Sequence, residues 1–293
     1  MRRDPVAVRL PFRPPLLPDN LFGHLVATAV PGVEEWRDGA YRRTLRLTYG
    51  AGIVALAPRA DHVAARLVLD DDRDLDAAVA ACRRLLDLDA DPVAIDEHLA
   101  GDPVLRPLVR AAPGRRVPHT VDAPEMALRA VLGQQVSTAA ARTHTARLVA
   151  AVGDPIADPD GGLSHLFPTP DAVASVDPET LRMPATRRRT LLGLADALAT
   201  GRVDLAASDA VERLDALPGI GPWTSATIAM RALGDPDAFI PGDLGVRAAA
   251  TALGLPTSPG ALTARAERWR PWRAYAVQHL WATGTHPVNV MPA

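Results

Sequence analysis

In residues 42–49, Leu45, Leu47 and Tyr49 alternate with Thr44, Arg46 and Thr48, the period of two that marks a half-buried strand. Residues 6–10, 53–57 and 63–69 read as three further strands, with Tyr49-Gly50-Ala51-Gly52 turning between two of them. Residues 21–30 form a short apolar helix ended by Pro31-Gly32, and residues 74–88 form another. These elements predict a small antiparallel sheet backed by two helices over residues 1–112. After a proline-rich joint at 105–118 the pattern becomes helical. Asp122 begins about 30 residues of helical character, with Ala127, Val131, Ala139, Leu148 and Val149 as apolar contacts and Asp122 and Glu125 spaced as a capping box. Phe167-Pro168-Thr169-Pro170 is a rigid loop ahead of two helices joined near Met183-Pro184. The fold class is α+β, the sheet followed by an all-helical region over 113–293 with two helical subdomains.

Within that region, residues 209–247 have the most definite organisation. Asp209 and Glu212 are spaced as a second capping box, and Val211, Leu214 and Leu217 share a helical face. Pro218-Gly219-Ile220-Gly221 turns the chain, and Pro222 suits the first turn of the next helix, which ends at Gly234. This is a helix–hairpin–helix with the hairpin at 217–223. Its main-chain N–H groups can hold a phosphate at a helix N-terminus. It can equally be an ordinary corner in which glycine only permits the turn.

Composition narrows the choices. The chain has 293 residues, 48% apolar, with a net charge of −2, so a nucleic-acid binder of this balance needs local cationic patches and backbone amides. All 32 basic residues are arginine. One cysteine, Cys82, excludes a disulfide or a four-cysteine cluster within the chain and reads as a small core residue. No catalytic metal is expected, because no His/Cys/carboxylate cluster has ligand spacing, and Asp70-Asp71-Asp72 reads as a solvated loop. With no long apolar run and no signal-peptide pattern, a cytoplasmic protein without membrane contact is expected.

The segment LPGIGPWTSAT followed by IPGDLGVR resembles the helix-hairpin-helix DNA glycosylases, above all the bacterial 3-methyladenine DNA glycosylase II group of the AlkA type. Pro218, Gly219, Ile220, Gly221, Trp223 and Thr224 match that hairpin, with Ser225 where alanine is usual, and Asp243 matches its aspartate. LGQQVS at 132–137, FPTP at 167–170 and the ending RWRPWRAYAVQHLW at 268–281 extend the resemblance over nearly the whole chain.

The resemblance implies a base-flipping glycosylase acting in base excision repair on duplex DNA with damaged bases, as a monomer. Asp243 is the implied catalytic carboxylate. It would stabilise positive charge on the sugar and orient the attacking water, and its helix-cap geometry can serve the same end. Gln135 falls where the family places its wedge, often leucine, although Gln134 and Gln135 can also simply lie on an exposed helix face. Gly219, Gly221 and Thr224 are the implied DNA contacts of the hairpin. Arg187, Arg188 and Arg189 face phosphates or form a solvated face. Trp223 and Trp281 match aromatic pocket positions, while His24, Thr227 and Leu244 fall where the family carries Phe or Tyr, so the pocket is expected to be less aromatic. Trp269 and Trp272 are expected in the core. Main-chain carbonyls of Asp215, Leu217 and Ile220 match a monovalent cation site for Na+ or K+; no other cofactor is implied. Without lysine no lysine Schiff base can form, so a monofunctional enzyme that leaves an abasic site is expected. Alkylated purines are the first substrate class. A non-catalytic binder of damaged DNA and a glycosylase for a deaminated or oxidised base stand as alternatives.

Overall fold

The computed structural model describes residues 4–293. Five strands form one antiparallel sheet: β1 (Val6–Pro11), β2 (Glu34–Arg37), β3 (Ala40–Arg46), β4 (Ala51–Pro58) and β5 (His62–Leu69), in the order β1-β5-β4-β3-β2. The sheet is the expected one with β2 added. Its EEWR sequence carries little apolar signal. What makes it a strand is the Asp38-Gly39 turn, both residues at positive φ, which pairs it with β3.

Helices α1 (Pro18–Ala27) and α2 (Leu75–Leu85) cover one face of the sheet. Leu21, Phe22 and Leu25 from α1, and Ala78, Cys82 and Leu85 from α2, pack on Leu45, Val54, Leu56 and Leu67. Burial pushes the Cys82 thiol up to about 12, so it behaves as the core residue the sequence suggested.

The opposite face of β3 is not in water. Arg42 bonds Asp158 at 2.7 Å, the Thr44 hydroxyl donates to the His165 carbonyl at 2.9 Å, and Arg46 reaches Asp154 at 2.6 Å; Arg43, on the same side as Leu45, reaches Glu125 at 2.7 Å. The alternation is as read, but the polar residues face the helical region rather than solvent. Glu125 lies on α5 (Ala123–Leu132), where Arg129 binds both it, at 2.8 Å, and Glu34 of β2, at 3.0 Å. Two arginines and two glutamates thus close a buried network across the seam.

Two helices stand between α2 and α5, α3 (Pro92–Ala100) and α4 (Arg106–Ala111), each with a proline in its first turn. α4 lies inside the stretch read as a joint. The remaining helices are α6 (Thr138–Val152), α7 (Pro170–Ala174), α8 (Ala185–Ala199), α9 (Ala210–Asp215), α10 (Pro222–Ile228), α11 (Leu244–Ala252), α12 (Pro259–Ala266) and α13 (Arg273–Trp281). They form two cores. Val131, Leu148, Leu191, Leu214, Ile220 and Ile228 belong to one. Ile95, Leu99, Met230, Val246, Trp269 and Leu280 belong to the other, so α3 and α4 pack with α11–α13. α10 runs on as a π-helix, Ala229–Leu233, to Gly234 at φ 74. Ile228 serves the first core and Met230 the second, so the hairpin opens a helix shared by both.

Several local expectations are corrected. The helical run from Asp122 is two helices, broken at 133–137. Asp122 does cap α5, accepting from the Glu125 N–H at 2.7 Å, but Glu125 turns to the arginines instead of completing a box. Asp209 caps nothing with its side chain and bonds Arg213. The motif at 268–281 is not one helix: Glu267–Trp269 is a single tighter turn, Pro271 follows, and α13 begins at Arg273. Trp269 is fully buried and donates to Asp102 at 3.0 Å, whereas Trp272 is only half-buried.

Candidate active site at Asp243

The hairpin is held from three sides. Ile220 is 7% exposed and anchors it in the first core. The Leu217 carbonyl accepts the Ile220 N–H at 3.1 Å. Gly219 has φ +87, and a Cβ there would overlap the Thr190 hydroxyl of α8, so both conformation and space require glycine. Gly219 is exposed, and among the described backbone bonds neither Gly219 nor Gly221 donates its N–H to a carbonyl. Thr224 is different. It is 2% exposed, and its hydroxyl accepts from Gln134 Nε2 at 2.9 Å, so its side chain braces the hairpin from inside.

The same Gln134 amide donates to the Gly219 carbonyl at 3.0 Å. This ties the hairpin to the loop between α5 and α6. Gln135, next along, is exposed at φ 53, a left-handed conformation uncommon for glutamine. Of the two readings open for this pair, the exposed helix face does not hold: both residues lie in the break between helices. Gln134 was the residue missed, and the LGQ motif was its signal.

Asp243 is the N-cap of α11, its Oδ1 accepting the Val246 N–H at 3.0 Å. The same oxygen accepts the Trp281 indole N–H at 2.8 Å, from the last residue of α13. Oδ2 accepts the Trp223 indole N–H at 3.0 Å, from the first turn of α10. Three helices therefore converge on one half-buried carboxylate. All three donors are neutral, and none of the described ion pairs includes Asp243. The carboxylate is oriented by neutral groups alone. Oδ1 has both in-plane lone pairs occupied, while Oδ2 keeps one for an incoming group.

His24, on α1, is 8% exposed, and its Nε2 has no protein partner. Burial, then the charges of Arg231 and Arg129 and the nearby His286, hold its pKa well below the ordinary imidazole value, so it is neutral. Trp223, Thr227 and Arg231 recur every four residues along α10 and its π-helical continuation, and the Arg231 charge acts on His24. The Thr227 hydroxyl is turned back to the Trp223 carbonyl at 2.7 Å. Leu244, beside Asp243 at the start of α11, is 79% exposed. Behind Trp281 the chain makes a short turn, Pro287–Asn289, whose Asn289 amide donates to the Trp281 carbonyl at 3.0 Å.

Among the described residues no group of three or more His, Cys, Asp or Glu could hold a metal ion. A cavity of about 440 Å³ lies elsewhere, between β3, α2 and residues 167–170, and touches none of the residues around Asp243. No helix among the described residues is long and apolar enough to cross a membrane.

Residues 7–122 match the AlkA N-terminal domain, and residues 128–274 match the HhH-GPD superfamily base excision DNA repair protein. The chain is 58% identical over 291 residues to a probable bifunctional transcriptional activator/DNA repair enzyme AlkA of Mycobacterium tuberculosis, covering 98% of this chain but only 59% of that protein. It is 34% identical over 285 residues to DNA-3-methyladenine glycosylase 2 of Escherichia coli, covering 94% of this chain and 96% of that one. Among solved structures, the 3-methyladenine DNA glycosylase from Archaeoglobus fulgidus shares the fold, with a TM-score of 0.79 at 23% identity over 94% of this chain and 97% of that one.

Proposed function

This chain belongs to the HhH-GPD superfamily of base excision DNA repair proteins, and from that premise we propose that it is a monofunctional DNA glycosylase releasing alkylated purines of the 3-methyladenine type from duplex DNA. The observation that carries the reading is the Asp243 carboxylate, held by three neutral donors and no cation. Cleavage of an N-glycosidic bond builds positive charge on the sugar, and a fixed anion in a half-buried site stabilises that charge. The free lone pair of Oδ2 is the position from which the sugar or the attacking water is met.

Around it, the unbonded N–H groups of Gly219 and Gly221 suit a DNA phosphate, and Gln135 stands on a tied-down loop where it can fill the gap left by a flipped nucleotide. A monovalent cation on the carbonyls of Asp215, Leu217 and Ile220 is part of the proposal. The Leu217 carbonyl, which accepts one N–H, has a second lone pair for it. With no lysine in the chain, the abasic product is left unnicked by lysine chemistry.

The test is base release from methylated duplex DNA, followed by chromatography, with wild type and Asp243→Asn side by side. Wild type releases 3-methyladenine and the variant is slower by about 10²–10³-fold. Equal rates would remove Asp243 from the chemistry. Tight binding with no release from any lesion would make the protein a binder of damaged DNA. A neutral His24 with an unpartnered Nε2 favours one second reading, a deaminated or oxidised purine as the preferred base. A lesion panel with the same readout separates the two.

A further inference from the structure

We propose that Gly245 is a positioning residue for the Asp243 carboxylate. By having no side chain, it lets the Trp281 indole close on the first turn of α11 and donate to Oδ1. The catalytic consequence rests on the glycosylase reading; the geometric one does not.

Gly245 is the second residue of α11. Glycine is a poor helix former, so an unneeded one inside a helix weakens it. Nothing in the backbone demands it, because Gly245 is not among the residues with positive φ. Two other helical glycines, Gly193 and Gly260, look onto open space and would accept a methyl group freely. Gly245 would not. A Cβ there would lie 2.9 Å from Trp281 Cδ1, 3.2 Å from Trp281 Nε1 and 3.2 Å from Asp243 Oδ1. Those last two atoms are the donor and acceptor of the 2.8 Å indole–carboxylate bond. A methyl group at 245 would therefore press on the hydrogen bond itself.

The pressure cannot be relieved by moving the backbone. Trp281 is held through its carbonyl by Asn289 and is continuous with Leu280, which is fully buried in the second core. Asp243 is held by its cap bond to Val246 and by its own N–H to the Ile240 carbonyl at 3.0 Å. The indole or the carboxylate must give way by a few tenths of an ångström, and either movement strains the bond between them. The donor to Oδ1 is weakened, and the free lone pair of Oδ2 is turned from its direction.

The experiment is Gly245→Ala, read in two ways. Alanine favours the helix, so the variant folds and a rate loss is not unfolding. In the first readout, kcat for purine release falls about 10–100-fold, the scale of one lost donor to a reacting charge, while Kd for abasic duplex is unchanged. In a Trp281→Phe background the same substitution costs nothing further, because the bond it disrupts is already gone. The second readout needs no activity. The indole ¹H–¹⁵N signal assigned by Trp281→Phe shifts in Gly245→Ala, while that of Trp269, bonded to Asp102, stays in place. An unmoved Trp281 signal overturns the geometry. A moved signal with a wild-type rate, or an equal loss of rate in the Trp281→Phe background, overturns the positioning role. If wild type releases no base from any lesion, the glycosylase reading falls, and the indole signal alone decides the placement of Gly245.

Discussion

At the scale of single residues, chemistry and burial pull on the same groups. His279 lies on α13, 1% exposed, with neither ring nitrogen bonded to protein, and burial followed by the Arg115 charge brings its pKa from 6.5 down to about 3. Below about pH 6.5 the unfolded chain takes up a proton that the folded protein refuses until about pH 3. Its contribution to stability is thus complete above pH 6.5 and is lost as pH falls across that window, at up to about 1.4 kcal/mol per unit. Urea midpoints between pH 7 and 4 will fall less steeply in His279→Gln than in wild type; parallel curves would show that another group carries the effect. Asp243 stood out in the sequence by the resemblance of its segment to the family's and by its spacing from the hairpin. Its donors were legible only as aromatics. Trp223 and Trp281 stand 20 and 38 residues away along the chain, and nothing local says that both indoles turn their N–H to one carboxylate. Leu244 is exposed for a local reason. It follows Asp243 in sequence, but successive helix residues point some 100° apart, and that turn carries it outside.

Among elements, the loop at 133–137 is the most informative. Apolar residues continue on both sides of it at helical spacing, so periodicity alone runs straight through the break. The break is made by tertiary bonds, the two from Gln134 to the hairpin. Replacing Gln134 with alanine removes both and leaves a buried Thr224 hydroxyl without its donor. Two such bonds are worth about 1–3 kcal/mol. Gln134→Ala is expected to weaken binding to abasic duplex about tenfold, measured by fluorescence anisotropy, with the melting temperature lowered slightly. Undiminished affinity would separate the loop from the hairpin as a DNA-binding unit. The strands show the same limit. β3 was found from its alternation, but its polar side meets Asp158, His165 and Asp154, contacts that no local pattern encodes.

For the whole molecule, the seam between sheet and helices is electrostatic at its centre. Arg43, Glu125, Arg129 and Glu34 are all buried or nearly so, and each charge is answered by another. Removing one member strands its partners in a poorly solvated place, at a cost of about 3–5 kcal/mol. Glu125→Ala should lose stability on that scale in urea titrations, and a loss below ~1 kcal/mol would mean that water reaches the seam. This architecture was readable in outline, as a sheet followed by helices. It was not readable in its joints, because α3 and α4 form in a stretch rich in proline and charge and earn their helicity from the second core.

The convergence on Asp243 has a practical result in optics. Of the five tryptophans, two have their indoles bonded to the Asp243 carboxylate, while Trp269 is sealed in the second core, Trp272 lies edge-on to Tyr275 and Trp36 edge-on to Phe22. Indole emission is sensitive to a neighbouring charge and to stacking. The site therefore carries its own reporter, and unlabelled protein mixed with unlabelled DNA will signal, through colour and brightness alone, when a base arrives and when it departs.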